Sequence, residues 1–545
     1  MKKAKFFLFF ILISVNIKAQ NFHASNFLYG TDNIRMAETI KLSNGFLTYG
    51  DFLGSLERPS NKTADSRDIF LAKYSDDFDF DWIKHIGGTL IDLAYDVTID
   101  ASNNIYIVGS FQGTCSFDGL NELTSDGGND VFLAKYSSSG TFIWAQKIAY
   151  NANNQFGTTI DFDGSNLIIG GYYVGSIDFN SQNFTSIYGM YFAKFDLSGN
   201  LIWAKNIPTT QSTSTLQSVS SFSDGYYFNG RFKGDADFDL GKYTSNSSSY
   251  TDVFIYKTDY DGNGLWLRRS YGDGNAFTGT MTQDNYGNVY FTGLFNGTSI
   301  NVDSTQTVKA KNAILNKGNS DIFIFKYNKL GTLNWSKGFG LLGSDWARAI
   351  EYRNNTFYLT GYFTDTIIFG SDTIVSSSLT DQDAFIGVLD SRGNTLKATK
   401  IQDSDDGNES GMSLSSDNSN IIYWGGTFKS TSVTVGDSIF ANPNPGKQCV
   451  YMTKGKVPFV IAFTKKTNPT CNQSTDGELI VTPYFGVSPY TYDWSHDANL
   501  HDSTATGLVA GTYSVTVTDA LDSVAIAEYT LVEPDSFIFN PVVTN

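Results

Sequence analysis

Three cysteines, Cys115, Cys449 and Cys471, are all that 545 residues contain, too few and too scattered to form a disulfide scaffold. Histidine is nearly as scarce, with only His23, His85, His496 and His501. No HExxH occurs, and His496 and His501, five apart in a polar stretch, do not have the setting of a zinc site. Also missing are the GxSxG nucleophile elbow and the GxxxxGK[ST] phosphate loop, so the common hydrolase and nucleotide-binding signatures are excluded. Positive charge is short: 38 Lys and Arg face 55 Asp and Glu, a formal net charge of −17. That balance argues against nucleic acid and anionic membranes as partners. No run of 18 apolar residues occurs, so no transmembrane helix is expected. Paired carboxylates from distant copies of a repeat could still meet, and sequence alone does not exclude a glycosidase-like pair.

Aromatic residues are abundant. The 43 Phe, 31 Tyr and 8 Trp each bury roughly 150–250 Å² when packed, which supplies the cohesion that disulfides do not. They are distributed in a repeat of about 60 residues, a period that means stacked supersecondary units. A glycine two residues before an aromatic ends one strand of each copy, at Gly50, Gly109, Gly170, Gly230, Gly293, Gly361 and Gly426. An Asp-x-Phe opening follows at Asp68, Asp130, Asp252, Asp321 and Asp383, with Met190 and Val457 at the Asp place in two degenerate copies. A tryptophan strand closes the copies at Trp82, Trp144, Trp203, Trp266 and Trp335, and Lys397 takes its place in the sixth.

Within a copy, period-two alternation and turn signals such as SSSG at Ser137 to Gly140 predict four short strands and no helix. Four strands repeated seven times predict an all-β, seven-bladed β-propeller over residues 20–466. The seventh copy ends at VIAFTKK, Val460 to Lys466, with no Trp strand behind it. The segment NFHASNFLYG, Asn21 to Gly30, has the right spacing to supply that strand and close the ring.

Two flanking segments differ in kind. Residues 1–19 carry Lys2, Lys3 and Lys5, then an apolar run from Phe6 to Val15 and a small residue at Ala19, the pattern of a signal peptide. The chain is therefore expected to be secreted, to the outer cell surface or beyond. After Pro469, clean alternation over Glu478 to Thr482, Tyr490 to Trp494, Gly511 to Thr518 and Ser523 to Leu531 predicts a small Ig-like β-sandwich at 467–534. Residues 535–545 read as the opening of a further, truncated repeat.

The blade unit, with its NNIYIVGSF and DVFLAKYSSSGTFIW halves, resembles the bacterial SBBP β-propeller repeat found in large exported surface proteins. The C-terminal segment is similar to the SprB-type repeat of Bacteroidota cell-surface proteins. That resemblance is carried by Cys471, Asp476 and Gly477, by Pro489 to Trp494, and by Gly511 to Asp519. Members carry a second cysteine after the last of these elements. Here that region reads LDSVAIA, so the resemblance implies that Cys471 lacks its partner. Together the resemblances imply type IX secretion and a place in surface adhesion or gliding.

The expected function is a non-catalytic module presenting propeller loops to a cell-surface protein or glycan. Its rivals are a structural part of a surface machine and a polysaccharide-active enzyme with axial carboxylates. Variable linkers between the Gly-x-aromatic and Asp-x-Phe strands are the expected recognition surface, and Tyr188, Tyr243, Tyr250 and Trp346 are the candidate ligand contacts. No catalytic residue and no cofactor is expected. Calcium is left open by DYDGNG, where Asp259, Asp261 and Asn263 alternate as oxygen ligands around a glycine. Other copies place a plain turn at that point, as in DLSGN and DSRGN.

Overall fold

The computed structural model describes residues 22–535, apart from 59–61, 303–305, 310–318, 354, 371, 377, 380, 404–406, 417–420, 436–437, 457–459, 485, 487 and 521–523. The signal-like segment 1–19 and the tail from 536 lie outside the described residues. The chain divides into a large unit, His23–Lys454, and a small one that starts at Gly455. Both are all-β and largely antiparallel, and the large unit has the architecture of propeller and WD40-type proteins.

Among the described residues of the large unit, seven sheets with a common four-strand frame follow one another, four of them extended to six strands by a hairpin. Sheet 2 shows the pattern: Asp92–Ile99, Ile105–Phe111, Asp130–Tyr136 and Phe142–Ala149 pair in sequence order. The first, or inner, strands of sheets 1 to 7 are Ile34–Leu42, Asp92–Ile99, Gln155–Phe162, Thr215–Phe222, Ala276–Gln283, Trp346–Arg353 and Glu409–Ser416. Middle strands such as Gly45–Phe52 and Asp68–Tyr74 are buried along their whole length, because neighbouring sheets cover both faces. In sheet 7, Glu409–Ser416, Ile421–Phe428 and Cys449–Lys456 are followed by Phe22–Gly30, from the other end of the unit.

Three repeat landmarks have physical reasons. Every inner strand carries a bulge-like irregularity at the same place, so that Ala37, Tyr95, Thr158, Gln217, Gly279, Arg348 and Met412 are skipped by the ladder, in sheet 5 together with Thr280. The bulge pushes backbone against the second strand, and only glycine fits there. A Cβ on Gly50 would lie 1.9 Å from the Arg35 carbonyl oxygen, and one on Gly361 would lie 1.8 Å from that of Trp346. In sheet 3 this contact falls at Gly171, 2.0 Å from the Phe156 oxygen, and not at Gly170. The Asp-equivalent position there shifts in step, from Met190 to Gly189, which faces Tyr173 in the ladder. Sequence spacing alone does not separate two adjacent glycines, whereas the bulge does.

The tryptophans join sheets. Trp82, Trp203, Trp266 and Trp335 each lie against the left-handed turn glycine of the next sheet, Gly140, Gly262, Gly331 and Gly393, where a Cβ would come within 2.7–3.0 Å of the indole. This explains the sixth copy. Lys397 has no such turn to face, because the third and fourth strands of sheet 7 come from distant parts of the chain. The corresponding turn of sheet 1 has Phe78 at φ 66° where the others have glycine, and its ring packs on Phe46 at 4.8 Å between centroids.

Two expectations about the seventh copy are corrected. Cys449, not Val457, occupies the Asp-equivalent position: Ile34 donates its N–H to the carbonyl before it, Gln448, as Asp92 does to Arg67 and Asp345 to Ser320. Val460–Thr467, expected as propeller, pairs instead with Gly477–Tyr484. The compact units part at Lys454 and Gly455 rather than at 466.

Among its described residues the small unit has two three-stranded sheets. One holds Val460–Thr467, Gly477–Tyr484 and Thr504–Leu508, and the other holds Thr491–Trp494, Gly511–Thr518 and Val524–Leu531. Trp494 and Tyr513 are buried in its core and Tyr490 packs against it. All three cysteines of the chain are free, Cys115 and Cys449 buried and Cys471 exposed.

Candidate functional site

The inner strands surround one cavity of about 480 Å³, to which all seven contribute. Its walls follow from the bulge. An inner strand is an edge strand on its cavity side, so its N–H groups need acceptors. Side-chain oxygens of the preceding sheet supply them. Asp96 Oδ2 accepts from Ile160 N at 2.8 Å, Thr159 Oγ1 from Val219 N at 2.9 Å and Asp161 Oδ2 from Ser221 N at 2.6 Å. Thr280 Oγ1 accepts from Ile350 N at 3.0 Å. Ser413 Oγ accepts from Thr39 N at 2.8 Å, so sheet 7 addresses sheet 1 as sheet 2 addresses sheet 3, sheet 3 sheet 4 and sheet 5 sheet 6.

Acidic groups gather after the bulge. The Tyr49 hydroxyl lies 3.4 Å from Glu38 Oε2 and 3.3 Å from Asp96 Oδ1, donating to one at a time. Burial raises both carboxyls out of the ordinary range, and Asp96 adds to the rise at Glu38. Burial also lifts Asp161 and Glu351 to about 7, the latter accepting from Ser416 Oγ at 2.8 Å.

Arginine and aromatic residues gather before and at the bulge, on sheets 2 to 6. Phe156 stacks on Tyr172 with centroids 4.6 Å apart, and Tyr95 meets Phe156 at 6.5 Å. The Arg231 guanidinium lies 4.4 Å from the Phe277 ring centre, and that of Arg348 lies 4.1 Å from Trp346. Phe277 and Trp346 are themselves 6.5 Å apart. Neither guanidinium has a hydrogen-bond or ion-pair partner among the described residues, and the Nε of each is buried. Burial lowers the pKa of both.

Of the four sequence candidates, only Trp346 lines this cavity. Tyr243 packs edge-on against Phe238 at 5.8 Å, Tyr188 pairs with Thr209 in sheet 3, and Tyr250 is exposed on a linker. The variable linkers are partly used in pairing. Thr114–Ser116 with Glu122–Thr124, and Asp235–Phe238 with Gly241–Thr244, form hairpins that extend the preceding sheet. Aligning the copies would have pointed to the acceptor position, since Glu38, Asp96, Thr159, Ser218, Thr280 and Ser413 share it and carry side-chain oxygen, with Ala349 the exception. The two arginines occur in single copies and give no such signal.

At the weak calcium candidate, Asp259 Oδ1 accepts the N–H groups of Asp261 and Asn263 at 2.9 and 2.8 Å, and Oδ2 accepts Asn263 Nδ2 at 3.0 Å. Asp100, Asp196 and Asp390 bind their own turns in the same way. A separate cluster, Asp383, Asp403 and Glu409, brings carboxylate oxygens within 4.8 Å of one another, a set able to hold a metal ion such as calcium weakly. Lys400 Nζ already lies 2.7 Å from Asp383. Among the described residues, no helix is long and apolar enough to cross a membrane.

A family model described as the SprB repeat matches residues 464–499. The chain is of β-propeller type, with a short SprB-like repeat on its C-terminal side. An uncharacterized WD repeat-containing protein of Acanthamoeba polyphaga mimivirus is 21% identical over 439 residues, covering 67% of this chain and 32% of the relative. This chain thus spans about a third of that relative's length. Among solved structures, the WD40 β-propeller domain of Doa1 is 9% identical with a TM-score of 0.39, covering 80% of this chain and 97% of the other. An apocarotenoid oxygenase of Synechocystis is 9% identical with a TM-score of 0.39, covering 77% and 95%. The Pan2 WD40 domain of Neurospora crassa is 10% identical with a TM-score of 0.33, covering 67% and 90%. Overlaps this loose carry no argument about function, and the propeller description rests on the strand pairing above.

Proposed function

We propose that this chain is an exported, non-catalytic binding module of the bacterial cell surface, built as a closed seven-bladed propeller with an Ig-like spacer. One observation carries the binding reading. Seven inner strands share one frame and one bulge, yet the bulge residues that face the cavity are Ala, Tyr, Thr, Gln, Gly, Arg and Met. A site that served packing alone would repeat its residues as the strands repeat theirs. Divergent chemistry on a repeated frame is what selective recognition requires. Ring closure is supported by the Ser413 to Thr39 contact and by Phe22–Gly30 lying beside Cys449–Lys456.

The signal-like segment and the SprB-like repeat support export to the surface, by the type IX route and in an adhesion or gliding assembly. The partner in this reading is an envelope protein or a glycan. The test is retention: immobilised intact chain is exposed to envelope proteins and extracellular polysaccharide of the producing organism, and bound material is identified by mass spectrometry and sugar analysis. Specific retention of either class is expected, and a docking partner held through detergent washes would make the chain a structural component of its assembly. Retention of neither would overturn the reading.

A polysaccharide-active enzyme is the second reading, favoured by the Glu38 and Asp96 carboxyls that share the Tyr49 hydroxyl. Against it, Asp96 accepts from Val97 N at 2.8 Å, Ile160 N at 2.8 Å and Thr159 Oγ1 at 3.0 Å, which commits it to joining sheets 2 and 3. Shortened glycan after incubation, lost in Glu38→Gln, would establish the enzyme instead.

A further inference from the structure

Resting on the binding reading, we propose that the cavity between the inner strands takes a carboxylated sugar, a hexuronic acid unit, with its carboxylate held by Arg231 and Arg348. The two guanidiniums carry the argument. Each is placed over an aromatic ring of the cavity wall, Arg231 on Phe277 and Arg348 on Trp346. Such stacking holds a guanidinium by its face and leaves its edge donors free.

Elsewhere among the described residues, several buried or half-buried lysines are matched by carboxylates. Lys73 is 2.9 Å from Asp81, Lys194 is 3.0 Å from Asp163, and Lys400 is 2.7 Å from Asp383. Arg231 and Arg348 have no such partner among the described residues, and their buried Nε atoms donate to nothing. A partly desolvated, unmatched cation is costly, and an incoming carboxylate offsets that cost with charge-assisted bonds.

The rest of the wall selects the body of the ligand. Phe277 and Trp346 line the same space and offer apolar aromatic surface beside the guanidiniums for the body of a pyranose ring. Glu38 and Ser220 face the same space and offer hydrogen-bonding groups for ligand hydroxyls. The volume of about 480 Å³ lies within the range of small-molecule sites. A neutral sugar would leave the arginines unmatched, and a simple carboxylate would leave the aromatic and acceptor walls unused.

Calorimetric titration of the intact chain with trigalacturonate, neutral galactotriose and citrate tests this. Trigalacturonate is expected to bind at least tenfold more tightly than either of the others. Arg348→Met and Arg231→Met are each expected to weaken it at least tenfold, while the surface control Lys242→Met leaves it unchanged; thermal melting checks that every variant folds. Equal binding of galactotriose or of citrate overturns the proposal, as does tight binding that survives both arginine substitutions. Failure of trigalacturonate to bind a chain that still retains envelope material also overturns it, and leaves the binding reading standing. Failure of both removes the binding reading with it.

Discussion

The glycines beside the bulge are the residues on which the repeat depends most directly. A Cβ at Gly171 would sit 2.0 Å from a backbone oxygen, whereas at Gly170 the nearest atom is the Thr159 methyl at 3.0 Å. Gly171→Ala should therefore cost about 3 kcal/mol, because backbone must move, and Gly170→Ala about 1 kcal/mol or less. Urea denaturation of the two variants decides the register. Thiols give a second reading at this scale: with Cys115 and Cys449 buried and Cys471 exposed, a thiol reagent should label one cysteine in the folded chain and all three after unfolding. The sequence made most of these landmarks legible because glycine and tryptophan mark contacts that few other residues can make. It misplaced the third glycine where two stand side by side, and it could not explain Lys397, whose cause is a turn absent from the neighbouring sheet.

Where sheet meets sheet, carboxyl groups meet as well. Asp68 faces Asp92, Asp321 faces Asp345, and Asp383 faces Glu409, at the same place in three seams. Gly340 leaves room for one such pair, since its Cβ would fall 2.4 Å from Asp321 Oδ1 and 2.8 Å from Asp345 Oδ2. Burial, reinforced by the neighbouring acid, raises Asp92 to about 7, Glu409 to about 8 and Asp345 well above its ordinary range. In the unfolded chain these groups ionise near pH 4, so the folded state binds more protons between about pH 4 and 8. Their stabilisation is full below that window and is lost as pH rises through it. The turn carboxylates Asp100, Asp196, Asp284 and Asp390 are held by N–H donors, and those of Asp100, Asp196 and Asp284 are lowered, so their contribution is lost as pH falls below about 4. Maximum stability is expected near pH 5, with a lower denaturation midpoint at pH 8. Asp345→Asn with Glu409→Gln should flatten that decline, and a midpoint unchanged from pH 5 to 8 in the parent chain would refute it. None of these pairs was legible in the sequence, because each joins residues of two different copies.

Across the whole molecule, the sheet assembled from both ends of the large unit governs stability. Removing residues 22–30 would leave Cys449–Lys456 as an unpaired edge and strip the neighbour on which the hairpin Ser55–Arg58 with Lys62–Thr63 is built. That truncation should abolish the cooperative unfolding transition, and a synthetic peptide of the missing sequence should restore it; a truncated chain with an unchanged transition would show that the strand is dispensable. The all-β, propeller-type architecture was legible because period and turn chemistry repeat. The boundary of the small unit was not, because Val460–Thr467 alternates like any propeller strand and only its partner, Gly477–Tyr484, tells which unit it joins.

Strand Cys449–Lys456 has a mechanical consequence. The polypeptide passes from it directly towards the small unit, and it lies next to Phe22–Gly30 in the same sheet. A pull on the C-terminal side enters the large unit at the sheet built from both of its ends. If the sheets close into the proposed ring, that sheet would act as its latch under load: tension would meet the hydrogen bonds between these two strands first, and their failure would open the ring at that point.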